Sequence, residues 1–164
     1  MKLVTFENRA RQSRIGALLG NDRIVDLHTA CALYLRDVEG ESIFYRMADA
    51  LVPPDMRALF RGGDTSLEAA RKAYDYAALL KAGAAGPRGE TVVYSRSEVQ
   101  LKAPIIPKKF FHTAGNFREH HEEATKAGFS HPVMPWIVFF QNTDAAASDK
   151  SLLVANPENK RRTT

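Results

Sequence analysis

A chain of 164 residues with one cysteine can form no internal disulfide, which fits a reducing compartment. Cys31 lies between Ala30 and Ala32 on an apolar stretch and reads as a core residue rather than a nucleophile. No apolar run approaches the roughly 20 residues of a membrane span, and Trp136 to Phe140 has the length and aromatic content of a buried strand. Nor does a secretory signal open the chain, because Glu7 and Arg9 interrupt Met1-Lys2-Leu3-Val4-Thr5 at once. The expectation is a cytoplasmic protein with no membrane partner. The net charge is +4, yet basic residues are scattered among acids except at Lys160-Arg161-Arg162, and no aromatic-flanked basic stripe is present. This pattern argues against a nucleic-acid partner, and anionic substrates account for the excess.

Several common sites are also missing. The run Gly83-Ala84-Ala85-Gly86-Pro87-Arg88-Gly89 lacks the Lys-Ser/Thr of a phosphate-binding loop and the strand-to-helix setting of a dinucleotide fingerprint. His112 and His131 have no partner at zinc-like spacing, and His121-Glu122 lacks the second histidine of a zinc peptidase.

What is present suits one ordinary soluble domain, or a small domain plus part of another: 45% of residues are hydrophobic and 26% charged. Leu3 and Thr5, then Ile15, Ala17 and Leu19, alternate as strands, and Gly20-Asn21-Asp22 supplies a turn toward Arg23-Ile24-Val25-Asp26-Leu27. The pattern predicts an antiparallel meander. Helices come next over His28 to Arg36, with Thr29 as N-cap, and over Ile43 to Leu51, where Pro53-Pro54 ends the run; Asp55 to Phe60 adds a last turn or two. The clearest helical pattern covers Leu67 to Ala82, with Thr65 and Glu68 as a capping box and Leu67, Ala70, Tyr74, Ala77 and Leu80 on one face. Tyr74 and Tyr76 read as core and rim. The glycine-rich run is then an interdomain linker, and Val92 to Ser95 and Val99 to Leu101 lead to Pro104 and Pro107 at the start of a second domain.

The run His112 to Glu123 concentrates the chemistry. Lys109-Phe110-Phe111-His112 reads as a strand, Gly115 permits a positive φ, and Asn116 is a natural N-cap for a helix beginning at Phe117. On that helix, His120 and Glu123 stand three residues apart and share a face. A carboxylate beside an imidazole fixes its tautomer and raises its basicity, the arrangement a general base needs to activate a water. A mixed-charge helix facing solvent would carry the same spacing.

From Pro107 to Asn142 the sequence runs Pro-x-Lys-x-Phe, Gly-Asn-Phe-x-x-His-x-x-Glu, then Pro132-Val133-Met134-Pro135 and Trp136-Ile137-Val138-Phe139-Phe140-Gln141. It resembles the fumarylacetoacetate hydrolase superfamily, and Met1 to Leu27 is similar to the small β-rich domain that precedes the catalytic domain in many members. The resemblance implies that Phe117 to Ala127 forms a lid helix and that His120 and Glu123 activate a water or move a proton. It also implies substrate contacts at Asn116 and Gln141, although Gln141 stands where many relatives carry lysine. Phe117 replaces a common tyrosine, and Thr113 stands where the fumarylacetoacetate hydrolases proper have a metal-binding aspartate. The substrate implied is therefore a different 2-oxo acid, of the acylpyruvate or oxaloacetate type. Mg²⁺ or Mn²⁺ is the cofactor implied for the family, but its Glu-x-Glu strand and later aspartate have no counterpart after Asp144, so no metal ligand is assigned.

The expected fold class is α+β: a small N-terminal β-meander with helices, followed by the incomplete beginning of a mainly β catalytic domain. Residues 1–82 form the first domain, 83–103 the linker and connecting strands, and 104–164 the truncated start of the second. The expected activity is hydrolytic or decarboxylating cleavage of C–C bonds in a small 2-oxo acid, by a homodimer once the catalytic domain is complete. The chain alone is expected to be inactive and, with Trp136 to Phe140 unpaired on an edge, poorly soluble or dimeric. The alternative is a non-catalytic binding or interaction module.

Overall fold

The structure is a computed structural model that describes residues 1–81, 83–114, 122, 125–128 and 137–141. It is an α+β arrangement in two compact units, Met1–Ile105 and Ile106–Ala146.

In the first unit, β1 (Leu3–Glu7), β2 (Ser13–Leu19) and β3 (Arg23–Asp26) form the antiparallel meander that the alternation predicts. Gly20, at φ 67°, makes the turn between the last two strands. Two short strands complete the sheet: β4 (Val93–Ser95) pairs with β3, and β5 (Gln100–Lys102) pairs with β1, giving the order β4-β3-β2-β1-β5. Residues 83–103, expected as a linker and connecting strands, instead belong to this unit and supply both edges of its sheet. A strand of three residues carries too little alternation to reveal a pairing that lies some 70 to 100 positions away.

Ile15, Ala17 and Val25 bury one sheet face against α1 (Leu27–Asp37), which also packs on α2 (Phe44–Leu51) and α4 (Gly63–Ala78). Between the last two lies α3 (Met56–Arg61), the helical turn or two expected after Pro53-Pro54. It is capped by Asp55, whose side chain accepts from the Ala58 N–H at 2.9 Å. Leu27, Leu59, Val52 and Ala70 are fully buried in this core. At about 1.5–3 kcal/mol for each large side chain, such a core gives the unit its own source of stability.

Two helix starts differ from expectation. The N-cap of α1 is Asp26, not Thr29: Asp26 accepts from the Thr29 N–H at 3.0 Å, and the helix begins at Leu27, one residue before the expected start. Likewise α4 begins at Gly63 and ends at Ala78, four residues before the expected start and end, and its N-cap makes no side-chain hydrogen bond. The N–H of Gly62 closes α3 onto the carbonyls of Ala58, Leu59 and Phe60 while the same residue opens α4, so Thr65 lies inside the helix and caps nothing. Ala70, Ala73 and Ala77 form the buried stripe of α4. Tyr74 and Tyr76 work at its margins, where they donate to the Leu18 carbonyl and the Asp37 carboxylate, both at 3.1 Å.

The other sheet face carries Phe6, Ile24 and Tyr94, with the Phe6 and Tyr94 ring centroids 5.3 Å apart. Gly16 sits among them: a Cβ there would lie 2.7 Å from the Val25 carbonyl and 2.9 Å from the Phe6 ring. Only glycine lets the strands and rings close up at that point.

In the second unit, β6 (Phe110–Ala114) pairs antiparallel with β7 (Ile137–Gln141), in register from Phe110↔Gln141 to Ala114↔Ile137. Phe111 and Phe140 pack with ring centroids 4.7 Å apart, and His112 stacks on Phe139. Phe111, Val138, Phe139 and Phe140 are nevertheless all exposed. Of the expected lid helix, Glu122, Thr125 and Lys126 have helical backbone, and Gly128 comes after them at φ 83°. No helix among the described residues is long and apolar enough to cross a membrane.

Candidate functional site

Asn116, His120 and Glu123, the residues that sequence reasoning favoured, lie outside the described residues, as does the side chain of Gln141. The backbone of Gln141 ends β7 opposite Phe110. The described site of most chemical interest is instead a concavity of 520 Å³ in the first unit, lined by polar side chains from β2, β3, α1, α2 and the 85–91 turn.

Its floor is set by strand register. Asp26 stands directly opposite Gly16, and Arg14 is two residues along β2 on the same face, so Arg14 reaches diagonally past the absent side chain to Asp26. The contact is bidentate, Nε to Oδ2 at 2.9 Å and Nη2 to Oδ1 at 3.2 Å. Nη2 also lies 3.1 Å from Thr29 Oγ1 and 3.2 Å from His28 Nδ1, so its two hydrogens are shared among three acceptors. Burial opposes the Arg14 charge, but the hydrogen bonds and charge of Asp26 outweigh it and hold the pKa above the ordinary arginine value. One guanidinium thus ties β2, β3 and the first turn of α1 together.

His28 extends the chain of contacts outward, with its Nε2 2.8 Å from Asp49 Oδ1. Arginine can only donate, so Nδ1 is the acceptor and the ring carries its proton on Nε2, which donates to Asp49. Both ring nitrogens are engaged, so the imidazole has no spare lone pair for a substrate proton or a metal.

The opposite wall is built on α2 and the turn. Tyr45 and Asp49, four residues apart on α2, face the same way. The Gly89 N–H donates to the Gly86 carbonyl at 3.0 Å, Gly89 has φ 84°, and Gly86 packs so closely that a Cβ would stand 2.5 Å from Thr29 Cγ2. This fit brings Arg88 and Glu90 to the cavity. Arg88 lies over the Tyr45 ring, 3.9 Å from its centroid, and its backbone N–H donates to Glu90 Oε2 at 2.8 Å. The Tyr45 hydroxyl donates to the other Glu90 oxygen. Burial, then this hydrogen bond, pushes the Tyr45 pKa up to about 12. For Glu90, burial would raise the pKa, but donation from Tyr45 and the Arg88 and Glu90 backbone holds it below the usual carboxylate range.

Sequence reasoning missed this site because its members are dispersed from Arg14 to Glu90. The usable signal was Arg14-x-Gly16 on one strand with Asp26 at the end of the next: charged residues on a face whose neighbours, Phe6 and Ile24, are apolar. Cys31, by contrast, is the core residue expected. It is 1% exposed, and burial with the nearby Glu39 charge pushes its thiol up to about 12, so it is no thiolate at neutral pH. Among the described residues, no three His, Cys, Asp or Glu side chains converge to hold a metal ion. No protein-family model matches the chain, and no curated protein matches it.

Proposed function

We propose that the chain carries the proton-transfer residues of a metal-dependent hydrolase or decarboxylase of the fumarylacetoacetate hydrolase superfamily, acting on C–C bonds in small 2-oxo acids of the acylpyruvate or oxaloacetate type. The observation that carries this reading is the pairing of β6 with β7. The two halves of the motif, Lys109-Phe110-Phe111-His112 and Ile137-Val138-Phe139-Phe140-Gln141, are separated in sequence yet lie side by side in register. Asn116, His120 and Glu123 lie in the sequence that connects these two paired strands. Such connections, positioned by a scaffold, are where catalytic residues concentrate.

On this reading Glu123 orients the His120 ring. For an acylpyruvate, His120 takes a proton from a water that attacks the acyl carbonyl carbon; for oxaloacetate, the bond to the terminal carboxylate breaks directly, releasing CO2, with His120 entering protonated. The electron pair of that bond leaves on the enolate of the 2-oxo acid product, which recovers the proton from His120. Asn116 and Gln141 contact the substrate. The described residues do not fit an Mg²⁺ or Mn²⁺ site, so no step is routed through the metal.

Calorimetry tests the assignment. The 164-residue chain, titrated with Mg²⁺ or Mn²⁺ in the presence of oxaloacetate, is expected to give no metal-binding heat; a saturable isotherm lost in His120→Ala would mean that these residues assemble the metal site themselves. The second reading, a binding module without catalysis, is favoured by one observation: the first unit has its own core and a polar concavity built entirely from its own residues.

A further inference from the structure

The polar groups of the concavity in the first unit are unevenly committed. Its three carboxylates all have partners: Asp26 accepts from Arg14 and the Thr29 N–H, Asp49 from His28, and Glu90 from Tyr45 and the Arg88 N–H. The cations divide differently. Arg14 is consumed by Asp26, whereas among the described residues neither Arg46 nor Arg88 forms a salt bridge, Arg88 acting on Glu90 only through its charge. Arg88 is stacked on Tyr45, which fixes the plane of its guanidinium and leaves the N–H edge available. Donors therefore exceed acceptors at the mouth, while carboxylates and guanidiniums cancel in formal charge.

We propose that this concavity is a binding site for a small carboxylate, gripped by the guanidiniums of Arg88 and Arg46. The volume of 520 Å³ lies within the range of small-molecule sites. A planar carboxylate matches the arginine fork with two parallel hydrogen bonds. The near balance of charge selects against a dianion such as phosphate, which would enter beside Asp49 and Glu90 with a second charge uncompensated. Gly86 and Pro87 hold the turn, and Asp26 and Arg14 hold the floor, so the site is assembled before the ligand arrives. The site is independent of the catalytic reading, since it uses no residue beyond Tyr94.

The test is isothermal titration of the chain with propionate, a monocarboxylate, at matched chloride ionic strength, with inorganic phosphate as a second ligand. Saturable propionate binding is expected, weakened at least tenfold in Arg88→Gln and in Arg46→Gln. Arg71→Gln, an exposed change on α4 outside the cavity, is expected to leave it unaltered. Native circular dichroism in each variant keeps a folding defect from imitating lost binding. No propionate heat above chloride, an equal loss in Arg71→Gln, or phosphate bound more tightly than propionate would overturn the proposal.

Discussion

Replacing Asp26 separates two roles that one carboxylate performs. Asp26 caps α1 through the Thr29 N–H and holds Arg14 by two hydrogen bonds, while being 2% exposed against 20% for the arginine side chain. Asp26→Ala removes both. The lost cap costs about 1 kcal/mol. Leaving one member of a buried pair without its partner costs about 3–5 kcal/mol, reduced here because Arg14 keeps a fifth of its surface in water and retains Thr29 and His28. The expected total is about 3–4 kcal/mol. Asp26→Asn keeps the cap and loses the charge, so its cost is expected to be about 1 kcal/mol smaller. With a urea m-value of about 1.5 kcal/mol/M, the alanine variant is expected to melt about 2 M earlier in urea, tracked by helical circular dichroism at 222 nm. A double-mutant cycle with Arg14→Met isolates the pair. An alanine variant within about 1 kcal/mol of the native chain, or an asparagine variant no more stable than alanine, would refute the claim that this ion pair and cap pin α1 to the sheet.

Gly16→Ala places a methyl group 2.7 Å from the Val25 carbonyl and 2.8 Å from Ile24 Cγ2, so a loss of about 1–3 kcal/mol in urea unfolding is expected. The Tyr45–Glu90 bond ties stability to pH on both sides. Because the Tyr45 pKa is raised to about 12, that part of its contribution is complete below the ordinary tyrosine value of about 10 and is lost as pH climbs to about 12. Because the Glu90 pKa is lowered, its part is present above the ordinary carboxylate value and is lost as pH falls through the folded one. Absorbance titration at 295 nm is expected to find Tyr45 ionising late, and Glu90→Gln to move that ionisation earlier. Phe140 is 74% exposed beside exposed Phe111 and Phe139, so the native chain is expected to bind anilinonaphthalene sulfonate and to self-associate, both reduced in Phe140→Ser. A monodisperse monomer silent to the dye would count against that.

The parts of the fold legible in sequence were those whose signal is local. The meander was readable because Leu3, Thr5, Ile15, Ala17 and Leu19 alternate and Gly20 breaks the run. Strands β6 and β7 were readable as dense aromatic segments. The start of α4 was not, since Thr65 and Glu68 imitate a capping box while the turn actually opens at Gly62-Gly63, where the preceding short helix closes. Strands β4 and β5 were expected as connecting strands, but their places at the two edges of the first sheet were not, because the pairing with β3 and β1 is non-local. The concavity illustrates the same limit. Arg14, His28, Asp49 and Glu90 carry no shared spacing, and only register and helix packing bring them together.

The central claim is that His120 and Glu123 move protons in cleavage of a 2-oxo acid, and the direct test is a turnover assay on the natural protein that carries these residues, at its natural length. Acetylpyruvate and oxaloacetate would be supplied with Mg²⁺ or Mn²⁺ and consumption monitored by ultraviolet absorbance. The account predicts metal-dependent cleavage of one of them that falls by at least a hundredfold in His120→Ala and in Glu123→Gln, with circular dichroism unchanged. Cleavage that persists undiminished in His120→Ala, or a folded native protein that consumes neither substrate with either metal, would contradict it.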